Sequence, residues 1–137
     1  MKTKIINYIK AAYSGLYILS SEEQRVESEM QAVADAVGYE LYVWSLTTGI
    51  VNIKNKEHVG NTNDPLPALE HFKSLPEKSI LLLRDFHMLL AQPDPMLFRA
   101  VKDALRDGMG NNRHLVIMGC TLHLPAELEK GIYRSAL

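Results

Sequence analysis

Apolar residues along this chain recur with two different periods, and the two periods alternate. Continuous or alternating apolar runs, which are typical of strands, cover residues 16–20, 40–45, 79–86 and 114–119. Apolar residues three or four positions apart, which are typical of helices, cover residues 3–13, 21–37, 64–75 and 94–107, and a last short helix follows Pro125. Unbroken strand runs indicate strands covered on both faces. The pattern predicts an α/β fold with a parallel sheet of about four or five strands and helices on both faces.

Polar residues at the ends of these segments predict where the helices begin and end. Ser20 with Glu23, or Ser21 with Gln24, matches a capping box at the start of the second helix, and Gly38 supplies its end.

Two later helices begin with the same dipeptide. Asp64 and Asp94 each precede a proline, which places an N-cap residue before a proline at the first helical position. Between the second strand and the first of these helices, residues 46–63 form the longest irregular stretch, and only residues 50–53 suggest a short strand or hairpin arm. Such stretches are commonly functional or mobile.

The junction between the first strand and the second helix lacks the residues that bind phosphate. A phosphate-binding loop at this point is rich in glycine and ends in Lys-Ser or Lys-Thr. Here no glycine lies between Gly15 and Gly38, and no lysine lies between Lys10 and Lys54. The sequence therefore predicts a nucleotidase-like scaffold without nucleotidase chemistry and without a nucleotide cofactor.

Composition narrows the class of protein. The 137 residues fit one domain, with 47% hydrophobic and 23% charged residues. A net charge of −1 gives no electrostatic footprint for nucleic acid or for an anionic membrane. The single cysteine excludes an internal disulfide and is compatible with a reducing cytosol. The apolar N-terminal run is broken by Asn7 and Lys10, so we expect an unexported, cytoplasmic protein.

Five short motifs occur in an order that resembles one known group of proteins. These motifs are LYILS at 16–20, EEQRV at 22–26, LYVWS at 41–45, DFH at 85–87 and PAELE at 125–129. The order resembles the N-terminal region of bacterial and plastid AAA-type ATPases, which begin with a degenerate AAA-like domain and continue into an intact ATPase domain. The resemblance implies a degenerate P-loop NTPase fold over residues 1–137, without phosphate loop or helical lid.

The same resemblance implies where a catalytic apparatus would lie, and the chain departs from it. Asp85 corresponds to the acid that organises the metal ion in active ATPases, but Phe86 follows where an active enzyme has its catalytic glutamate. Cys120 and Thr121 correspond to a polar phosphate-sensing position. A fifth strand is implied near residues 131–134. The chain is then either a fragment of a longer ATPase or a free-standing relative.

A small set of potential metal ligands lies near the ends of two predicted strands. Asp85, His87, Cys120 and His123 could in principle form a zinc site, because parallel strands present ligands at their carboxyl ends. The set does not match a motif of closely spaced ligand pairs. Each of its residues also has an ordinary structural explanation. Asp85, for example, could cap the next turn or pair with Arg84.

Four other residues are candidates for contact with a partner. Tyr42 and Trp44 share one face of a strand, where they either enter the core or contact a partner. Lys54 and Lys56 lie in the long irregular stretch, as a solvated turn or as a contact for an acidic partner.

Two functional hypotheses from different classes follow. The first is a non-catalytic AAA-like module that docks to an AAA-type ATPase or self-associates. The alternative is a small enzyme or a metal- or ligand-binding protein that uses Asp85, His87, Cys120 and His123. Nucleic-acid binding ranks below both because of the charge balance.

Overall fold

The fold is built on one seven-stranded sheet. The computed structural model describes residues 2–136. The strands lie in the order β4-β3-β2-β5-β6-β1-β7. Their bounds are β1 Gly15–Leu19, β2 Glu40–Ser45, β3 Gly49–Asn52, β4 His58–Val59, β5 Ser79–Leu83, β6 Arg113–Gly119 and β7 Tyr133–Ala136. The helices are α1 Lys2–Lys10, α2 Glu23–Val37, α3 Pro65–Phe72, α4 Phe86–Leu90 and α5 Pro95–Asn111, with a 3₁₀ helix at Ala126–Gly131.

The parallel part of the sheet confirms the predicted architecture. Strands β2, β5, β6, β1 and β7 pair in parallel, which gives the five parallel strands that were predicted, including the implied last one. Strands β3 and β4 add an antiparallel extension beside β2. The predicted four or five strands are the parallel ones, and the whole sheet has seven because residues 46–63 contribute an antiparallel hairpin, of which the sequence suggested only an arm at 50–53.

Alternate residues of the central strands point into two separate apolar layers. On one face, Tyr17, Leu81 and Ile117 pack with α3, α4, α5 and the 3₁₀ helix. On the other face, Ile18 and Leu82 pack with α1 and α2. The alternation follows from the two-residue period of a strand. Helices thus cover both faces of the parallel strands, as predicted.

Two predicted helix boundaries were wrong. The side chain of Ser20 does not cap α2: it accepts a hydrogen bond from the backbone N–H of Glu22 at 3.0 Å, and the helix begins only at Glu23. The predicted first helix extends to residue 13, but α1 ends at Lys10 because Ala12 adopts a positive φ of 65°. Gly38 was correctly predicted, since it takes a φ of 74° and donates its N–H to the Ala34 carbonyl.

The two Asp-Pro starts were correctly placed but differ in their bonding. Asp94 accepts a hydrogen bond from the backbone N–H of Leu97 at 3.1 Å, as an N-cap does. Asp64 occupies the N-cap position of α3 without a side-chain hydrogen bond to the helix. Within residues 2–136, no helix combines the length and apolar character that crossing a bilayer requires.

Two glycines near the end of α5 provide a matched pair for testing packing. A Cβ on Gly108 would lie 3.1 Å from the Ser14 Cβ and closer still to the carbonyl oxygen of Arg113, whereas a Cβ on Gly110 meets nothing within 4 Å. We expect Gly108→Ala to lower the free energy of unfolding by about 1–3 kcal/mol through overpacking. Gly110→Ala should raise it by about 0.5–1 kcal/mol through helix propensity. Urea unfolding of both variants checks this, and equal effects would contradict it.

The buried His114 at the start of β6 makes stability depend on pH. Its Nδ1 donates to the Tyr13 carbonyl at 2.6 Å, and its Nε2 is buried without a hydrogen-bond partner within residues 2–136. Burial lowers the pKa of His114 from its ordinary value of 6.5, although the hydrogen bond to Tyr13 opposes this. The associated stability is complete above the unfolded-state pKa and is lost as the pH falls below it.

We therefore expect the free energy of unfolding to fall between about pH 7.5 and about pH 5.5, because the unfolded chain binds the extra proton more readily. Asparagine at position 114 keeps a donor for the Tyr13 carbonyl and does not titrate. The fall should therefore be smaller in His114→Asn by roughly 1 kcal/mol. Urea titrations of both proteins at the two pH values measure the difference, and parallel pH profiles would refute the assignment.

Candidate functional site

The candidate site lies along the carboxyl edge, which we define as loops 20–22, 46–48, 84–85 and 120–125. Each of these loops follows a parallel strand, β1, β2, β5 or β6. Open α/β sheets bind ligands at this edge because the strand ends and the helix N-termini face each other there. Every apolar position of β1, β2, β5 and β6 except Leu19 is buried, so the polar side chains of these strands concentrate at the ends.

An ion pair joins α2 to the residue that follows β5. It lies near the junction of β1 with α2, where a phosphate loop would lie. The guanidinium of Arg84, just after β5, donates from Nε and Nη2 to the two carboxylate oxygens of Glu27 on α2, at 2.6 and 2.7 Å. Glu23 lies 4.0 Å from the same guanidinium. The hydrogen bonds from Arg84 to Glu27 raise the pKa of Arg84, against the opposing effect of its desolvation. The sequence did not reveal this pair, since its members lie 57 residues apart.

The first turn of α2 carries charges of its own. Arg25 pairs with Glu22 at 3.1 Å on the exposed surface, and Glu23 follows in the first helical turn. Negative side chains are favourable at a helix N-terminus because they interact with the free N–H groups and the helix dipole. The anion-attracting end of this helix therefore already faces carboxylates of the protein.

Asp85, which the resemblance equates with the acid that organises a metal ion, lies on the surface. Asp85 is exposed and adopts a left-handed conformation with a φ of 57°, before α4. It neither caps α4 through its side chain nor pairs with Arg84, which binds Glu27 instead. Phe86 is fully buried and its ring packs edge-on against Trp44, with centroids 5.8 Å apart.

The other three residues of the predicted metal set do come close together. The Sγ of Cys120 lies 3.7 Å from the Nε2 of His87, and the His123 ring is stacked parallel to that of His87 with centroids 6.4 Å apart. Within residues 2–136, however, no three His, Cys, Asp or Glu side chains are grouped so that they could hold a metal ion. The four candidate zinc ligands, which the sequence suggested only as an alternative to a chain without a metal site, therefore do not form one group in the described part of the chain.

Tyr17 is a member of this neighbourhood that the sequence reasoning missed. Its hydroxyl donates to the Thr121 carbonyl at 2.7 Å and accepts from the backbone N–H of His123 at 3.2 Å. Burial raises the pKa of Tyr17, so the phenol stays a donor at neutral pH. The only signal for it in the sequence is a polar hydroxyl within an otherwise aliphatic strand.

The aromatic candidates for partner contact belong to the core instead. Trp44 is fully buried, and its Nε1 donates to the Thr62 carbonyl at 2.7 Å, within the loop that leaves the β-hairpin. Tyr42 is 9% exposed in the same layer. Helix α3 and the hairpin cover this face. The hypothesis of partner contact was therefore wrong for Trp44, and Tyr42 exposes little surface for such a contact.

The two lysines of the long stretch are on the surface. Lys54 lies 3.7 Å from Asp35, with both side chains more than half exposed. Lys56 adopts a φ of 63° at the tip of the hairpin and is exposed. They form a solvated turn, and contact with an acidic partner stays a hypothesis.

The strand order and the helices on both faces of the sheet define the class: an α/β domain with the P-loop NTPase type of fold. Residues 1–136 match the model of the family described as "SpoVK-like AAA ATPase, N-terminal domain". The chain belongs to this family, as its sequence resemblance implied.

Two relatives are similar over most of the chain. Both are called "Uncharacterized AAA domain-containing protein ycf46". The protein of Trieres chinensis is 30% identical over 129 residues, which is 92% of this chain and 25% of the relative. The protein of Guillardia theta is 29% identical over 127 residues, which is 90% of this chain and 24% of the relative. The chain thus spans about a quarter of the length of these curated relatives.

A solved structure supports the fold. A chain from the structure of Drosophila ORC bound to AT-rich DNA and Cdc6 superimposes with a TM-score of 0.52 and 14% identity, over 98% of this chain and 51% of that one. At this level of identity the likeness concerns the fold alone.

The ion pair at the junction predicts that Glu27 in α2 stabilises the protein more than Glu22, the N-cap residue of the same helix. In the Arg84–Glu27 pair the side chains are 31% and 20% exposed, whereas in the Arg25–Glu22 pair both are 58% exposed. We expect Glu27→Gln to lower the free energy of unfolding by about 1–2 kcal/mol, because it removes a two-pronged, partly shielded ion pair. Glu22→Gln should cost less than about 0.5 kcal/mol.

Denaturant unfolding measures both values, and a double-mutant cycle of Glu27→Gln with Arg84→Met isolates the pair. A coupling free energy near zero would show that Arg84 and Glu27 are adjacent without stabilising the junction.

Proposed function

We propose that this chain is a non-catalytic AAA-like module that acts through protein–protein contact at its carboxyl edge. The observation that carries the proposal is the junction between β1 and α2, where the side chains of the protein take the place of a phosphate loop. Loop 20–22 has no glycine, and the two guanidiniums around it, Arg25 and Arg84, are bound to Glu22 and Glu27.

The charges at the junction oppose nucleotide binding. Three carboxylates and two guanidiniums lie there, so the local charge is −1 before any phosphate arrives; they are Glu22, Glu23, Glu27, Arg25 and Arg84. A triphosphate would have to displace the Glu27 carboxylate from Arg84 and approach two further carboxylates. Like charges at close range disfavour such an approach. In addition, the buried Phe86 follows Asp85 where an active ATPase has its catalytic glutamate.

The distribution of exposed apolar side chains favours the carboxyl edge as the contact surface. Of the eight large apolar side chains exposed in the described chain, two lie in the carboxyl-edge loops, and three lie within the first three residues of α3, α4 and α5. The two are Leu46 and Leu122, and the three are Leu66, Met88 and Met96. Grouped exposed apolar residues mark interaction surfaces more often than scattered ones do. The other three, Tyr13, Met109 and Tyr133, lie toward the opposite edge.

The partner we propose is an AAA-type ATPase domain, with a second copy of this chain as the alternative. The matched family is one of N-terminal domains of AAA ATPases, and the chain corresponds to about a quarter of its relatives' length. A domain of this kind can add a fixed surface to an ATPase without hydrolysing nucleotide itself.

The test combines light scattering after size-exclusion chromatography with an ATPase assay, both with and without ATP and Mg²⁺. We expect a molar mass that does not change with nucleotide and no turnover above the buffer background. Turnover by the purified chain, abolished by Asp85→Asn, would refute the non-catalytic assignment.

Surface variants test the contact separately. Met88→Glu combined with Leu122→Glu places charges on the carboxyl edge, and Met109→Glu, on a similarly exposed methionine, serves as the control. We expect the double variant to weaken self-association, or binding to the rest of the Trieres chinensis relative supplied as a separate chain, by roughly tenfold or more. The control should bind like the wild type. Equal effects of the two variants would exclude the carboxyl edge as the contact surface.

A further inference from the structure

Charge is unevenly distributed along the chain, although the net charge is only −1. Of the 15 lysines and arginines, five lie in residues 1–14 and 130–137, which contain none of the 16 aspartates and glutamates. Residues 15–129 therefore carry a net charge of −6. The five cations are Lys2, Lys4, Lys10, Lys130 and Arg134. The net charge thus conceals two strongly basic segments, and the nearest carboxylate along the chain belongs to Glu129.

The cations of these two segments differ from the others in their pairing. All five are exposed, and none of them forms an ion pair within residues 2–136. Of the ten cations in residues 15–129, seven form ion pairs: Arg25, Lys54, Lys73, Arg84, Arg99, Lys102 and Arg113. Exposed cations without a protein partner keep their full charge for an external anion.

Three tyrosines join the two basic segments into one surface. The ring centroid of Tyr133, at the start of β7, lies 4.2 Å from that of Tyr13 and 5.1 Å from that of Tyr8 in α1. The Lys4 Nζ lies 5.9 Å from the centroid of the Tyr8 ring. We call these three tyrosines and the five cations the α1–β7 surface. Its two parts are separated by more than a hundred residues in the sequence and meet only in the fold.

The rings of this surface remain accessible. Tyr13 is 38% exposed and Tyr133 is 39% exposed. Strand β7 lies at one end of the strand order and pairs only with β1, so no further strand covers its outer side in residues 2–136. Large aromatic side chains are usually covered in a folded domain, and an exposed group of them beside unpaired cations indicates a binding surface.

We propose that the α1–β7 surface binds single-stranded nucleic acid. The unpaired cations match the phosphates, whose counterions are released on binding. The exposed rings match the bases, because every base has a flat face that stacks on an aromatic side chain. Tyr13 and Tyr133 lie toward the edge of the sheet opposite the carboxyl edge. The inference therefore does not rest on the proposed protein–protein contact.

An anionic membrane fits this surface less well. A helix that binds a membrane inserts its apolar face among the lipids. The apolar residues Ile5 and Ile9 of α1 are 0% and 3% exposed, because they pack in the layer between α1, α2 and the sheet. They are not available for insertion, and the tyrosines alone provide a shallow contact.

The test is fluorescence anisotropy of a fluorescein-labelled oligothymidine of about 12 nucleotides, titrated with the whole chain at several salt concentrations. We expect saturable binding at low salt. The logarithm of the association constant should fall with the logarithm of the salt concentration with a slope of about −2 to −3, if three or four of the five cations contact phosphates.

Paired charge variants separate the surface from the net charge. Lys4→Gln combined with Arg134→Gln removes two cations of the α1–β7 surface. Lys56→Gln combined with Lys78→Gln removes two cations that are likewise exposed and without an ion pair in residues 2–136, and the net charge changes equally. We expect the first pair to weaken binding by roughly tenfold and to reduce the salt slope, and the second pair to have little effect.

A tyrosine variant tests stacking. Tyr13→Leu combined with Tyr133→Leu keeps apolar bulk and removes the rings, and it leaves the backbone carbonyl that His114 binds. We expect binding at least about fivefold weaker, with an unchanged salt slope, because stacking releases no counterions. Circular dichroism and urea midpoints establish that the variant is folded.

Three outcomes would each overturn the proposal. The first is no anisotropy change at low salt, whether or not the chain sediments with phosphatidylcholine vesicles that contain phosphatidylserine. The second is an equal effect of the two charge variants. The third is competition by polyglutamate as effective as that by unlabelled oligothymidine, which would assign the surface to acidic proteins. If the tyrosine variant does not fold, the charge variants and the polyglutamate competition still decide.

Discussion

Two helical layers cover the parallel sheet on both faces, and this double coverage constrains the rest of the molecule. Residues of neighbouring strands at the same level, such as Leu81 and Leu115, share one layer, while Leu82 and Val116 share the other. A polar side chain in the middle of these strands would be buried without water, at a cost of several kcal/mol unless it found a partner. Polar and reactive side chains therefore lie mainly at the ends of the strands. The thiol, the ion pair and the stacked imidazoles all lie there for this reason.

The same constraint explains how much of the fold the sequence predicts. Unbroken apolar runs identified β5 and β6, and helical spacing identified α2 and α5, because the double layer requires apolar residues at these positions. The pattern suggests β3 only as a short strand or hairpin arm at 50–53 and does not predict β4 or the pairing of the hairpin with β2, which depends on contacts between distant residues. The Trp44 side chain bonds to the Thr62 carbonyl, 18 residues later, and the short strands between them have little periodicity of their own. For the same reason the sequence left open whether the aromatic pair on β2 enters the core or contacts a partner, since the hairpin that helps to cover it was suggested only in part.

The candidate site was predictable in outline and not in its contacts. Parallel strands end at one edge, so the sequence correctly indicated that His87, Cys120 and His123 would be neighbours. It did not predict that Asp85 would adopt a left-handed conformation outside the group, since a single positive φ at a non-glycine residue has only a weak local signal. It also could not predict that Arg84 would bind Glu27, because α2 and β5 are separated in sequence and meet only through the order of strands in the sheet.

The ion pair gives the junction a physical property that a phosphate loop lacks. In a phosphate loop, the free N–H groups at the helix N-terminus are satisfied when an anionic ligand binds, so the local structure is coupled to the ligand. Here Glu27 and Arg84 join α2 to the end of β5 within the protein itself, and acidic side chains interact with the first turn of α2. The free energy of this joint therefore does not depend on a ligand concentration. For the proposed assembly module, this joint within the protein would keep the carboxyl edge the same with and without nucleotide, which is what a constant contact face requires.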